Sequence, residues 1–133
     1  MDKDKKLKRL TKAEEQIMQK LWEMDEAVVK DIVDRFDDPK PAYTTVATVM
    51  KVLEKKGFVS HRNEGNTHLF KPEISRTEYT KYQLSNLLLN YFNGSFPKMA
   101  TFFARENDLS IKELEDIIKQ TEEELRHEKP DEK

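Results

Sequence analysis

The stretch Thr44-Thr45-Val46-Ala47-Thr48-Val49-Met50-Lys51-Val52-Leu53-Glu54-Lys55-Lys56-Gly57-Phe58 reads as one helix with a marked end. At 100° per residue, Val46, Val49, Met50 and Leu53 gather on one side and Thr44, Thr48, Lys51 and Lys55 on the other. The first set is a core face and the second is small, polar and cationic. The helix is expected from about Thr44 to Lys56, closed by Gly57 as a left-handed C-terminal cap behind two lysines that suit the helix dipole.

Working outward from that helix, Thr11 and Glu14 form a capping box that starts an earlier helix. Ala13, Ile17, Met18, Leu21 and Trp22 give it a broad apolar face to about Met24. Val29, Ile32, Val33 and Phe36 follow at i, i+3, i+4 and i+7 and predict a second helix that stops before Asp37-Asp38-Pro39-Lys40-Pro41. On the other side, Phe58–Arg62 and Thr67–Lys71 read as two short strands, with hairpin turn chemistry between them in Asn63-Glu64-Gly65-Asn66. Three helices and a hairpin in that order are a winged helix-turn-helix.

The second half differs in kind. Ser75 with Glu78 and Ser110 with Glu113 are further capping boxes, and Ser95 before Pro97 is another helix start. Helices are expected near 76–93, 96–106 and 111–127. Their apolar faces carry Leu84, Leu87, Leu88, Tyr91 and Phe92 in the first, and Phe96, Met99, Ala100 and Phe103 in the second. Ile111, Leu114, Ile118, Thr121 and Leu125 alternate by three and four in the third, as in a coiled-coil seam. Three short helices seldom bury enough surface to be stable alone, and a partner subunit would cover these faces. The expected architecture is mainly α: a flexible basic arm over 1–9, a winged helix domain over 10–72, a helical dimerisation domain over 73–128 and a disordered tail over 129–133.

Charge and composition narrow the function. The net charge of -2 hides a local excess: from Lys40 to Lys71 the chain has six bases against two acids. From Glu73 onward thirteen acids face nine bases. A cationic stretch centred on a helix with a groove-sized outer face is what binding to duplex DNA requires. Thr44, Thr45 and Thr48 can offer a hydroxyl to a base edge and a methyl to thymine, Ala47 a further methyl, and Lys51 and Lys55 can reach guanine or phosphate. Arg62, Asn66 and His68 at the wing are candidates for phosphate or minor-groove contact.

Other chemistries lack their residues. With no cysteine there is no disulfide, thiolate nucleophile or thiolate metal site. Three glycines form no phosphate loop, and His61, His68 and His127 lack metal-ligand spacing. Glu122, Glu123 and Glu124 splay around their helix, so no paired-carboxylate site is expected. The chain is therefore read as a non-enzyme without metal or cofactor. No apolar run spans a bilayer and Met1 to Arg9 is polar, so a cytoplasmic protein without membrane insertion is expected.

Several segments together resemble the penicillinase-repressor family of bacterial transcriptional regulators, the BlaI/MecI/CopY group. They are Leu10-Thr11-Lys12-Ala13-Glu14, Ile17-Met18 with Leu21-Trp22, Thr44 to Met50, Leu53-Glu54-Lys55-Lys56-Gly57-Phe58-Val59, and Phe102-Phe103-Ala104. The resemblance implies a homodimer, held by the C-terminal helices, on a dyad-symmetric operator of double-stranded DNA. Copper-sensing members carry a cysteine cluster, which is absent here. Antibiotic-induced members are cleaved at an Asn-Phe bond; the matching position reads Phe102-Phe103 after Thr101. The resemblance implies a membrane metalloprotease sensor as partner, while the missing asparagine puts cleavage at that bond in doubt. The alternative reading is a winged-helix protein-interaction module without direct DNA binding, against which the local positive charge stands.

Overall fold

The computed structural model describes residues 7–128, and in them the winged helix-turn-helix is formed as the residue pattern expects. Helix α1 runs Lys12–Met24, α2 Val29–Asp34 and α3 Tyr43–Lys55, followed by strands β1 Val59–Glu64 and β2 Thr67–Pro72. Three more helices follow: α4 Arg76–Phe92, α5 Phe96–Glu106 and α6 Ile111–His127. The chain divides into two compact units between Ser85 and Asn86, inside α4.

The first unit is built on α3. Val46, Met50 and Leu53 have no exposed surface and pack with Ile17, Met18 and Leu21 of α1 and Ile32 of α2. Each such side chain contributes roughly 1.5–3 kcal/mol on burial. Exposed threonines contribute little, so the core face fixes the helix's rotation. Gly57, with φ +87°, closes α3. The Phe58 amide donates to the Leu53 carbonyl at 2.9 Å and the Gly57 amide to that of Glu54 at 3.0 Å. This paired geometry satisfies two end carbonyls and turns Phe58 inward.

The hairpin is antiparallel, with Val59 opposite Pro72 and Glu64 opposite Thr67. Its strands run further than expected, leaving a two-residue turn at Gly65-Asn66. Gly65 has φ +62° and Asn66 does not share a positive φ, the II′ pattern that matches strand twist. The periodicity did not foresee a third pairing: Ala27, before α2, exchanges both backbone hydrogen bonds with Phe70 at 2.9 Å.

Three expectations shift. Ala13 is exposed, and the buried residue of that turn is Glu14. In the described part of the basic arm Leu7 joins the core while Lys8 and Arg9 are exposed; next to it Leu10 is also buried, and its amide donates to the Tyr79 hydroxyl at 2.9 Å. Residues 1–6 and the tail 129–133 lie outside the described residues. The first unit also extends beyond residue 72, because Ile74 and Tyr79 are buried in its core. Burial pushes the Tyr79 hydroxyl's pKa up; the ring stands edge-on to Phe58 at 5.6 Å between centroids.

In the second unit the last turns of α4 end at Asn93 and Gly94, both at positive φ. Ser95 accepts from the Lys98 amide to cap α5, and Ser110 with Glu113 completes a capping box on α6. The Phe92 and Phe102 rings meet at a tilt, with centroids 5.6 Å apart. No residue of α5 or α6 is buried.

Glu14 ties the start of α1 to the end of α3. Its carboxylate accepts from the Thr11 amide at 2.9 Å and from Lys56 Nζ at 2.7 Å. Burial alone would raise its pKa, but the Lys56 hydrogen bond and charge and the Thr11 amide outweigh that and hold it below the usual glutamate value. Lys56→Met should therefore cost about 2 kcal/mol near neutral pH, because it leaves a buried carboxylate short of a partner. A folded pKa below the unfolded one stabilises above the usual glutamate range and is lost as pH falls through the lowered value. Urea titrations at descending pH should show the wild-type advantage over Lys56→Met shrinking in acid; an equal gap throughout would contradict the pairing.

Candidate nucleic-acid interface

The exposed side of α3 carries Thr44, Thr45, Thr48, Lys51 and Lys55, with Tyr43 exposed in its first turn. Turning α3 so that Val46, Met50 and Leu53 face the core leaves this row outward. Ala47 is a partial exception: it is half-buried and packs against the core, so it forms the floor of a groove and does not project.

That groove runs between α3, the wing and the start of α2, with a volume of about 390 Å³. Tyr43 and Lys51, one turn to either side of Ala47, form one wall. Asn66, Thr67 and His68 of the wing form the other. Val28, Val29 and Phe70 lie beneath, and Lys30 stands at the α2 end. Tyr43, Lys30 and Thr67 were not singled out from sequence. An exposed aromatic in a first helical turn was a signal for Tyr43; nothing in the pattern marks the other two, because the Ala27–Phe70 pairing brings α2 and the wing together.

The local positive charge is smaller than the residue count suggests. Lys40 Nζ caps α2 by donating to the carbonyls of Asp34 and Phe36, at 3.2 and 2.5 Å. Lys56 is engaged by Glu14. Arg62 is held by Glu26 at 3.0 Å and Glu64 at 2.9 Å, so it braces the wing and is not presented as a free cation. Lys51 and Lys55 make no ion pair among the described residues and lie on the exposed row. Lys30 pairs with Asp34 at 3.4 Å and is itself highly exposed.

The wing histidines are tied into the same surface. His61 Nδ1 donates to the Glu54 carboxylate at 2.9 Å, His68 Nδ1 donates to Asn63 Oδ1 at 2.8 Å, and the two rings meet at a tilt with centroids 4.2 Å apart. Among the described residues no group of three or more His, Asp or Glu is placed to hold a metal ion. No described helix is long and apolar enough to cross a membrane.

The residues expected at a dimer contact lie in α4 to α6. Leu84, Leu87, Tyr91, Phe96, Phe103, Ile111, Ile118 and Leu125 are exposed, while Leu88, Phe92, Met99 and Leu114 are half-buried. Leu89, Phe102 and Ile117 are also exposed and were missed, because they fall off the periodic stripe. The Phe102–Phe103 bond lies within α5, so a protease would have to unwind that helix to cut it.

A family model described as Penicillinase repressor matches residues 10–123. The chain is 23% identical to the Penicillinase repressor of Bacillus licheniformis over 120 residues, covering 90% of this chain and 94% of that protein. It is 24% identical to the Methicillin resistance regulatory protein MecI of Staphylococcus aureus (strain N315), covering 86% and 94% respectively. A protein of the same description from Mammaliicoccus sciuri is 23% identical over the same shares.

The bracing of Arg62 can be read from its partner. Its hydrogen bond and charge hold the Glu26 carboxyl below the usual glutamate range. In an NMR titration of side-chain carboxyl carbons, Glu26 should titrate low and return toward the usual range in Arg62→Gln. If Glu26 titrates identically in both proteins, Arg62 is free for another role.

Proposed function

The chain belongs to the penicillinase repressor family, and on that premise we propose that it acts as a homodimeric transcriptional repressor on a dyad-symmetric operator. The α3 helix of each subunit enters the major groove. The observation that carries this reading is the exposed row Thr44, Thr48, Lys51 and Lys55, on a helix whose opposite side buries Val46, Met50 and Leu53. Short hydroxyl side chains let the helix backbone approach base edges, and the two lysines at its outer limits suit phosphates. The family's members are regulators and not enzymes.

Self-association is supported by the second unit. Phe96, Phe103, Ile111, Ile118 and Leu125 are each more than half exposed in the single chain, a density of apolar surface that marks interaction sites. A second copy would cover like with like, as two-fold symmetry allows. Dimerisation then sets two reading helices on one duplex, one per half-site.

Thr48→Glu should weaken operator binding on the order of 100-fold, because a carboxylate would face phosphates and base edges. Its exposed position should keep the melting temperature near wild type. In gel-shift titrations across salt, Lys55→Ala should lower the log-log slope by about 0.9 for each phosphate left without its cation. Unchanged affinity in Thr48→Glu would show that another face binds DNA.

For the dimer, sedimentation equilibrium should give twice the 15.8 kDa chain mass. Ile118→Glu should shift the species toward the monomer. A wild-type monomer at the concentrations that saturate operator DNA would overturn the two-subunit arrangement.

A further inference from the structure

We infer that the notch between Tyr43 and Lys51 is a seat for the 5-methyl group of a thymine, so that Tyr43 and Ala47 determine specificity at one base pair of each half-site. This rests on the operator-binding reading above and adds a ligand group to a site that the exposed threonines do not occupy. The geometry comes from side-chain size: along α3, Tyr43, Ala47 and Lys51 recur every four residues on the flank facing the wing, and the small middle residue leaves a gap. The floor of that gap is apolar, made by Val29 and Phe70, both buried, with the half-buried Ala47. Its rim is polar and carries Lys51, Lys30, which also pairs with Asp34, and the wing residues Asn66, Thr67 and His68, and no acidic residue lines it.

A phosphate calls for donors and gains nothing from an apolar floor. The lysines of the rim suit a polyanion, and the apolar group that a duplex presents in its major groove is the thymine methyl. Recognition helices offer their first residues to base edges, and Tyr43 is the first residue of α3. The exposed tyrosine ring forms the wall against which a methyl would pack.

The test uses a duplex selected by the wild-type protein from a randomised pool, with each thymine then replaced in turn by deoxyuridine, which lacks only the methyl. Burying one methyl corresponds to about a fourfold gain in affinity. Wild type should therefore bind about fourfold more weakly when uracil stands at one position of a half-site. At that position the thymine-to-uracil ratio should fall to near one in Tyr43→Ala and in Ala47→Leu, which fills the notch, and should persist in Tyr43→Phe, which keeps the ring. Tyr43→Ala changes an exposed residue, so it remains a valid test if Ala47→Leu fails to fold. No uracil-sensitive position, or one that Tyr43→Ala leaves unchanged, overturns the seat while operator binding stands. A pool that enriches no sequence overturns operator recognition and the seat together.

Discussion

The turn at Gly57-Phe58 is the constraint on which the first unit depends. Gly57 adopts a φ that a side chain would make costly. That single backbone state delivers Phe58, with no exposed surface, into the middle of the core. Phe58 then serves three elements at once. Its amide closes α3 on Leu53, its carbonyl accepts from the Glu73 amide at 2.7 Å after the hairpin, and its ring meets Tyr79 at the root of α4. The helix that carries the exposed threonines, the wing and the start of the fourth helix therefore share one buried side chain. A reading surface assembled from separate elements needs such a common anchor, because it fixes the position of each element relative to the others.

The same economy explains why charge was the least legible part of the interface. Helix faces follow from periodicity, so Val46, Met50 and Leu53 could be separated from Thr44, Thr48 and Lys51 by angle alone. Ion pairs join residues distant along the chain, such as Lys56 with Glu14 and Arg62 with Glu26. No local pattern announces them. Half of the six bases between Lys40 and Lys71 are engaged by the protein's own carbonyls and carboxylates. What remains beside the threonines for a polyanion is a short row, Lys51 and Lys55.

Other gaps between sequence and structure have the same origin. The hairpin was legible from its residues because turn chemistry is local, and Gly65 supplies the required φ. Its docking was not, because the Ala27–Phe70 pairing links positions far apart in sequence. The Ala47 position failed differently: on the helical wheel it lies near the boundary between faces, and only the approach of the wing decides that it becomes a floor. Leu7 was read as part of a charged arm because its neighbours are lysines and arginine. Burial of one leucine among exposed cations needs a tertiary partner to be seen, and here the core supplies it.

The second unit poses the opposite problem, since its helices are fully legible and yet insufficient. Helices of 11 and 17 residues gain little from capping alone; in water their stability comes mainly from packing an apolar face. Here that packing is incomplete in the single chain, as no residue of α5 or α6 is buried. Each large apolar side chain left in water forgoes roughly 1.5–3 kcal/mol, so covering five or six of them is comparable to the whole stability of a typical small domain. The stability of these helices therefore depends on what covers their apolar faces. The winged helix, by contrast, closes its own core. The exposed row of α3 is thus held by a core complete in the single chain, whereas the apolar faces of α5 and α6 are left uncovered.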